Sequence, residues 1–321
     1  MKSIIKSSLE VKNSVASTPR TSDPESIVSI TTEIVQTTAR RVEVIGVPGA
    51  RKTTMLCDRS RHLVDEGVSQ KNILILGFAN TTADTLRERL RQHRLPDIRV
   101  STCHAFASQL VRENLAALGR SVAPKIVSEQ KMQELLRQAI QKTREEGVRR
   151  MENGTLKTKN ALTWLDQMNT EHEIGALMAL HQFQQASKRK LQDLVNDPKF
   201  ATRAPCVRVL RRIFRHCEMA KRDSGNVDYG DMLQIAIEAL ESGDVAMHAY
   251  EHLLIDEFQD CSPHQVRLIC ALAQRIRNIM VVGDTWQAVY GFAGAHHTPL
   301  GDVLQGVKQL RLTKSYRLTR Q

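Results

Sequence analysis

The chain has 321 residues, 41% hydrophobic and 25% charged, and its 46 Lys and Arg against 35 Asp and Glu leave a formal charge of +11. That length predicts two domains, or one core with a large insert, in an ordinary globular composition. No uninterrupted apolar stretch approaches the ~20 residues that span a bilayer, which excludes an integral membrane role, and the positive surplus points to a polyanionic partner, because Lys and Arg release counterions from phosphates.

Residues 1–30, rich in Ser, Thr and charge, are expected to form a poorly ordered extension. The first twenty contain four basic residues, one acid and five serines but no apolar core of a secretory signal. An organelle transit peptide is one reading of them, and a reducing cytoplasm is the default. The six cysteines, Cys57, Cys103, Cys206, Cys217, Cys261 and Cys270, are scattered and form no C-x-x-C pair. That spacing argues against a metal ribbon or a disulfide scaffold.

From Val42 onward short runs dense in Val, Ile and Leu appear at residues 42–47, 72–78, 98–103, 252–256 and 279–283. Several lack the polar alternation of a half-exposed strand, the mark of parallel strands covered on both faces. A helical pattern fills residues 53–66 between the first two runs, with Gly67 placed as a C-terminal cap. A second helix follows Phe78. Residues 108–225 contain no strand-like run but long helix-favouring segments at 129–146, 186–196 and 207–222, which predicts an all-helical insert. Another helix is predicted over residues 263–275, with Ser262 as cap and Gln265 bonding back to it. The fold class is α/β, a parallel sheet interrupted by that insert.

The first strand runs into Gly46-Val47-Pro48-Gly49-Ala50-Arg51-Lys52-Thr53-Thr54, where a helix begins. This is the context of a phosphate-binding P-loop: backbone N–H groups and a helix N-terminus face the anion, Lys52 reaches the β/γ-phosphates, and Thr53 can hold Mg²⁺. Arg51 stands where the G-x-x-x-x-G-K-[ST] pattern has glycine. A left-handed backbone there costs Arg on the order of 1 to 2 kcal/mol, and its side chain either adds charge near the phosphates or crowds them.

The strand His252-Leu253-Leu254-Ile255 delivers Asp256 and Glu257 to the C-terminal edge of the sheet, where open α/β sheets place ligands. Asp256 suits the Mg²⁺ of a nucleotide, and Glu257 suits polarising an attacking water. Another strand brings Gly283-Asp284-Thr285-Trp286-Gln287 to the same edge, putting Gln287 in a position to sense a γ-phosphate.

Taken together these segments resemble the N-terminal half of the UvrD/Rep-type superfamily 1 DNA helicases. Asp256-Glu257-Phe258-Gln259-Asp260-Cys261-Ser262-Pro263-His264-Gln265 is similar to D-E-F-Q-D-x-S-P-x-Q, and residues 282–295 resemble V-G-D-x-x-Q-S-I-Y-G-F-R-G-A. Phe78-Ala79-Asn80-Thr81-Thr82-Ala83 resembles F-T-N-K-A-A, Thr102-Cys103-His104-Ala105-Phe106 resembles T-F-H-S-F, Asp228-Tyr229-Gly230-Asp231-Met232-Leu233 resembles D-F-D-D-L-L, and Ser315-Tyr316-Arg317 resembles N-Y-R. With the P-loop, seven matches run collinearly from Gly46 to Arg317.

The resemblance implies a RecA-like P-loop NTPase core over residues 31–107 and 226–305, a helical insert over 108–225, and the start of a second motor domain over 306–321. It implies ATP and Mg²⁺ held by Gly46, Gly49, Ala50, Arg51, Lys52, Thr53 and Thr54, with Thr53 and Asp256 on the metal. Glu257 is implied as the catalytic base, Gln287 as the link between nucleotide state and DNA, and Arg317 as a γ-phosphate contact. Phe78, Asn80, His104, Tyr290 and Phe292 fall where the family contacts single-stranded DNA, a task that suits aromatics because bases stack on them regardless of sequence. Core packing is the other reading for Phe78 and Phe292. Arg208, Arg211, Arg212 and Arg215 form a basic face of the insert, read as a phosphate path or as a solvated surface.

Other departures from the family pattern are Thr81 for Lys, Thr285 and Trp286 for acids, and Ala293 for Arg; Gln36 is the one candidate for an adenine contact. The chain ends at Gln321, before the remaining family motifs, so unwinding is expected to need a partner that supplies the second motor domain. The implied function is a UvrD-like ATPase module. A non-enzymatic DNA- or protein-binding module in which Arg51 blocks the phosphate cradle is the alternative. A P-loop kinase would leave the D-E-F-Q-D and G-D-x-x-Q elements without a task.

Overall fold

A computed structural model describes residues 24–153, 160–168, 171–187, 189–195, 207–284, 300–313 and 315. In chain order the first half of the core comprises α1 (Pro24–Gln36), β1 (Arg41–Gly46), α2 (Lys52–Asp65), β2 (Ile73–Gly77), α3 (Asn80–Gln92), β3 (Arg99–Thr102) and α4 (Cys103–Glu113). The insert follows with β4 (Lys125–Ile126), α5 (Glu129–Glu152), α6 (Asn160–Gln167), α7 (Glu171–Ser187), α8 (Leu191–Val195) and α9 (Val207–Asp223). The chain returns through β5 (Asn226–Val227), α10 (Tyr229–Ser242), β6 (His252–Ile255), α11 (Pro263–Leu272), β7 (Asn278–Gly283), α12 (Leu300–Val303) and β8 (Lys308–Leu312).

Six strands form one sheet in the order β3-β2-β6-β7-β1-β8, with every neighbouring pair parallel. The parallel strands explain the runs without polar alternation, since both faces are covered. On β2, Leu74 and Leu76 pack with α4, α10 and α11, while Ile73 and Ile75 face the opposite core with α2 and α3. Each such fully buried side chain contributes about 1.5 to 3 kcal/mol. The fold is therefore the α/β, RecA-like arrangement anticipated from the sequence.

The insert has a core of its own, built from Leu136 and Ile140 of α5, Ile174 and Leu177 of α7, and Leu210 and Ile213 of α9. Two strands too short to leave a periodic signal close its base: Lys125 pairs with Asn226 and Ile126 with Val227. The insert, expected to hold no strand, thus carries the short strand β4, paired with β5 just beyond its end, and α4, up to Glu113, belongs to the main core. The single helix expected over residues 186–196 is two pieces, with α7 ending at Ser187 and α8 beginning at Leu191.

Beside this base Lys221, 2% exposed, donates to Glu218, Asp228 and Asp231 at 2.9, 2.6 and 2.7 Å. Burial opposes its charge, but Asp228 and Glu218 outweigh burial and hold the ammonium above its usual range. Asp228 also caps α10 through a capping box with Asp231. On α9, Arg208, Arg211 and Arg215 are exposed, and Arg212 lies 3.8 Å from Glu146.

Two expected boundaries move. A helix begins at Pro24, inside the extension expected over residues 1–30. Residues 308–312, expected within a second motor domain, instead add to the first sheet: β8 pairs with Val42 to Gly46 of β1, and the Val47 amide donates to the Leu312 carbonyl at 3.1 Å. Glu43, buried within β1, secures that edge by accepting from the Leu300 amide and the Gln309 amide group at 3.1 Å each. A β-bonding edge on β1 needs a partner strand, and β8 supplies it.

Candidate nucleotide site and the cavity beside it

β1 ends at Gly46, and the loop through Gly49 and Ala50 leads to α2, whose first turn carries Lys52, Thr53 and Thr54. Two backbone features shape the loop. Gly49 has φ +76°, which suits glycine, and a Cβ on Gly46 would stand 3.0 Å from Cγ of Lys52 and press on the lysine stem beside the strand end. Arg51, the helix N-cap, is itself left-handed at φ 58° and ψ 37°, with its side chain exposed rather than filling the loop. The left-handed backbone foreseen for that position is present.

β6 brings Asp256, 1% exposed, to the same edge. Thr53 Oγ1 donates to Asp256 Oδ2 at 3.0 Å, and the Glu257 amide donates to Asp256 Oδ1 at 3.0 Å. Burial first and Glu257 second push the Asp256 carboxyl up to about 6, against the Thr53 hydroxyl, the Glu257 amide and Lys52. Lys52, 8% exposed, lies 3.5 Å from Asp284 Oδ2 at the end of β7. Thr54 accepts from Arg89 at 3.3 Å.

Glu257 adopts φ 51°, a conformation that costs a non-glycine residue on the order of 1 to 2 kcal/mol and concentrates at functional sites. Gln259, 2% exposed, fixes it: its amide donates to Glu257 Oε2 at 2.7 Å and its carbonyl accepts from the Asp284 amide at 2.8 Å. Gly283 makes room for that bridge, since a Cβ there would stand 2.9 Å from Gln259 Oε1. Gln259 and Asp284 lie inside motifs quoted above, yet the sequence assigned neither a task; a buried amide between two acids is the signal that identifies them.

The residues converge on a site whose oxygen donors, Thr53 Oγ1 and Asp256 Oδ2, suit a small hard cation that keeps substrate phosphates as its other ligands. The Lys52 ammonium and the start of α2 suit phosphate. ATP with Mg²⁺ therefore fits the residues present.

Beside this site lies a cavity of about 370 Å³ between the core and the insert, and Phe78 and His104 both line it. Burial holds the His104 imidazole below its usual range, and its ring meets Tyr229 edge-on with centroids 5.1 Å apart. Asn80, exposed at the start of α3, does not line this cavity. Asp260 does. Its Oδ1 is enclosed with no hydrogen-bond partner among the described residues, and burial and then Glu257 push its carboxyl up to about 6, opposed by Lys52. Gln287, Tyr290, Phe292 and Arg317 lie outside the described residues, as do Thr285, Trp286 and Ala293.

A family model described as the UvrD/REP helicase N-terminal domain matches residues 28–305. The chain belongs to that family. It is 27% identical over 273 residues to an ATP-dependent DNA helicase PcrA of Leuconostoc citreum, covering 82% of this chain and 33% of the relative. It is 26% identical to DNA helicase IV of Escherichia coli K12, covering 78% and 39%, and 24% identical to DNA helicase II of Haemophilus influenzae, covering 86% and 36%. The chain thus spans about a third of the length of these curated relatives. Within that matched span, the loop after β1 and the acidic pair after β6 stand at the ends of two strands of one sheet. Among the described residues no helix is long and apolar enough to cross a membrane.

Proposed function

We propose that the chain is the magnesium-ATP-hydrolysing, single-stranded-DNA-binding motor core of a helicase. The observation that carries this reading is the convergence of Lys52, Thr53, Asp256 and Glu257 at one sheet edge, with the Thr53 hydroxyl bonded to Asp256 across 203 positions of sequence. Lys52 and the amides of the loop bind and orient the β/γ-phosphates. Thr53 and Asp256 would hold Mg²⁺, which when bound spreads the negative charge that develops on the transferred phosphoryl group. Glu257, anchored by Gln259, orients the attacking water and accepts its proton at the carboxylate. Gln287 and Arg317 keep the sensing and γ-phosphate roles that the family resemblance implies. Phe78, Asn80 and His104, with Tyr290 and Phe292, form the single-stranded DNA track. Unwinding is assigned to the pairing of this core with a second motor domain, because strand movement needs two cores that close around nucleotide. A cytoplasmic setting goes with this reading.

Magnesium-dependent phosphate release, measured with and without single-stranded DNA, tests it. Wild type is expected to release phosphate and to respond to DNA, and Glu257→Gln to lower the rate about 100-fold while keeping nucleotide affinity. Absence of magnesium-dependent release from wild type would contradict the reading.

One observation favours a second reading. Arg51 occupies a left-handed position within the phosphate loop, and a loop that holds its amides away from the phosphates would leave a helicase-derived DNA- or protein-binding module. Nucleotide binding by Arg51→Gly with none by wild type would establish it.

A further inference from the structure

The arginine face of the insert has no task in the motor reading. Between α7, α8 and α9 the insert carries a groove of about 400 Å³, lined by Arg189, Arg211 and Arg215 against one carboxylate, Glu218. That carboxylate is already engaged, accepting from Gln185 at 2.8 Å and from Lys221 at 2.9 Å. Arg211 and Arg215 stand exposed one turn apart on α9, and among the described residues neither has an ion-pair or hydrogen-bond partner. Arg212 differs, since Glu146 of α5 lies 3.8 Å from it. Arg208, also exposed, extends the stripe, so the basic face covers about 10 Å of helix at ~1.5 Å per residue. The rest of the groove is uncharged. Phe214 and Leu191 belong to the insert's own core, and the His181 ring lies against Phe214 with centroids 4.5 Å apart. Burial holds that imidazole at about 4, which leaves it neutral.

We propose that this groove docks an acidic peptide segment of a partner protein, with its carboxylates on Arg211 and Arg215 and an apolar side chain against Phe214 and Leu191. The inference goes beyond the motor reading and does not depend on it. A guanidinium fork binds carboxylate and phosphate alike, so charge alone does not choose between a peptide and nucleic acid. The apolar floor chooses. A duplex backbone is convex and offers phosphates with no apolar group beside them, so it would rest on the arginines and leave the floor unused. An extended peptide sends successive side chains to opposite sides at ~3.3 Å per residue, which puts acids on the arginines and apolar groups on the floor. Three or four such residues span the stripe.

The test uses the full chain and a fluorescein-labelled seven-residue peptide with five acidic residues around two leucines, read by anisotropy. Wild type is expected to bind it saturably, and more weakly as salt rises. The double variant Arg211→Glu, Arg215→Glu is expected to lose at least tenfold in peptide affinity with its affinity for a magnesium-ATP analogue unaltered. Both sites are exposed, so the variant keeps the insert core intact. A second peptide with glycines in place of the leucines is expected to bind wild type about tenfold more weakly, because the floor then has nothing to hold. No binding of the leucine peptide by wild type, or equal binding by the double variant, would overturn the proposal. Equal affinity for the two peptides would overturn it too, by reducing the groove to a patch of charge. A short DNA duplex that binds wild type more tightly than the peptide, and is lost in the double variant, would reassign the face to nucleic acid and overturn it as well.

Discussion

Thr53 at the first turn of α2 donates its hydroxyl proton to Asp256 at the tip of β6, at 3.0 Å. β7 lies between their parent strands in the sheet, so the bond crosses one strand width and draws the phosphate loop toward the acidic pair. It holds a hydroxyl and a carboxylate where a magnesium ion would bind both, and it stabilises the loop in the meantime.

Lys52→Ala should abolish nucleotide binding and also weaken the fold. Asp284 is fully buried 3.5 Å from the Lys52 ammonium, and taking one partner from a buried pair costs about 3 kcal/mol or more. Titration of a fluorescent ATP analogue and a urea melt read the two effects separately. Unchanged binding would contradict the role given to Lys52.

Arg51→Gly should stabilise the chain modestly, by on the order of 0.5 to 1 kcal/mol. Releasing the left-handed strain returns about 1 to 2 kcal/mol, and the added freedom of glycine in the unfolded chain takes back about half of it. The urea midpoint measures the balance, and a lower midpoint in the variant would show that Arg51 is not strained.

Gln259→Ala should separate binding from turnover. The side chain bridges Glu257 and the Asp284 amide, so its loss frees the base without touching Lys52 or Thr53. Phosphate release should fall at least tenfold with nucleotide affinity near wild type, and the fold should lose about 1 to 3 kcal/mol from two unmet buried bonds. Wild-type turnover in a folded variant would refute the anchoring of Glu257.

Acid should destabilise the chain. Burial holds His181, His252 and His264 at about 4, with Lys221, Arg59 and Arg267 adding to it in turn. The unfolded imidazoles take up protons near pH 6.5 and the native ones do not, so this contribution is complete above pH 6.5 and is lost as pH falls toward 4. Asp256 and Asp260, held at about 6, act in the opposite sense: their unfolded counterparts ionise from about pH 3.8, so native stability gains as pH falls from 6 to 4. With three imidazoles against two carboxyls the urea midpoint should fall between pH 6.5 and 4, and Asp256→Asn should steepen the fall. A midpoint that rises across this window would contradict the burial of these groups.

The legible parts of this molecule were those whose signal is local. Runs such as Leu74–Leu76 announce buried parallel strands, Ser262 and Gln265 announce a cap that the structure contains as a capping box, and Lys52, Thr53, Asp256 and Glu257 declare themselves by residue type at a strand end. What was not legible depends on partners distant in the chain. Lys125 with Asn226 is too brief a strand pair to have a period. The burial of Lys221 requires three acids to arrive from α9 and α10 together. The strand 308–312 reads as the beginning of something new until Glu43 of β1 is seen reaching across to Gln309.

The central claim is that one magnesium-chelated triphosphate sits between Lys52 and the Asp256–Glu257 pair. Fluorescent ATP-analogue titration of the wild-type chain, with magnesium and with EDTA, tests it most directly. The account predicts saturable binding that magnesium strengthens and that Lys52→Ala removes. Wild-type binding that is absent, or that is indifferent to both magnesium and Lys52, would contradict it.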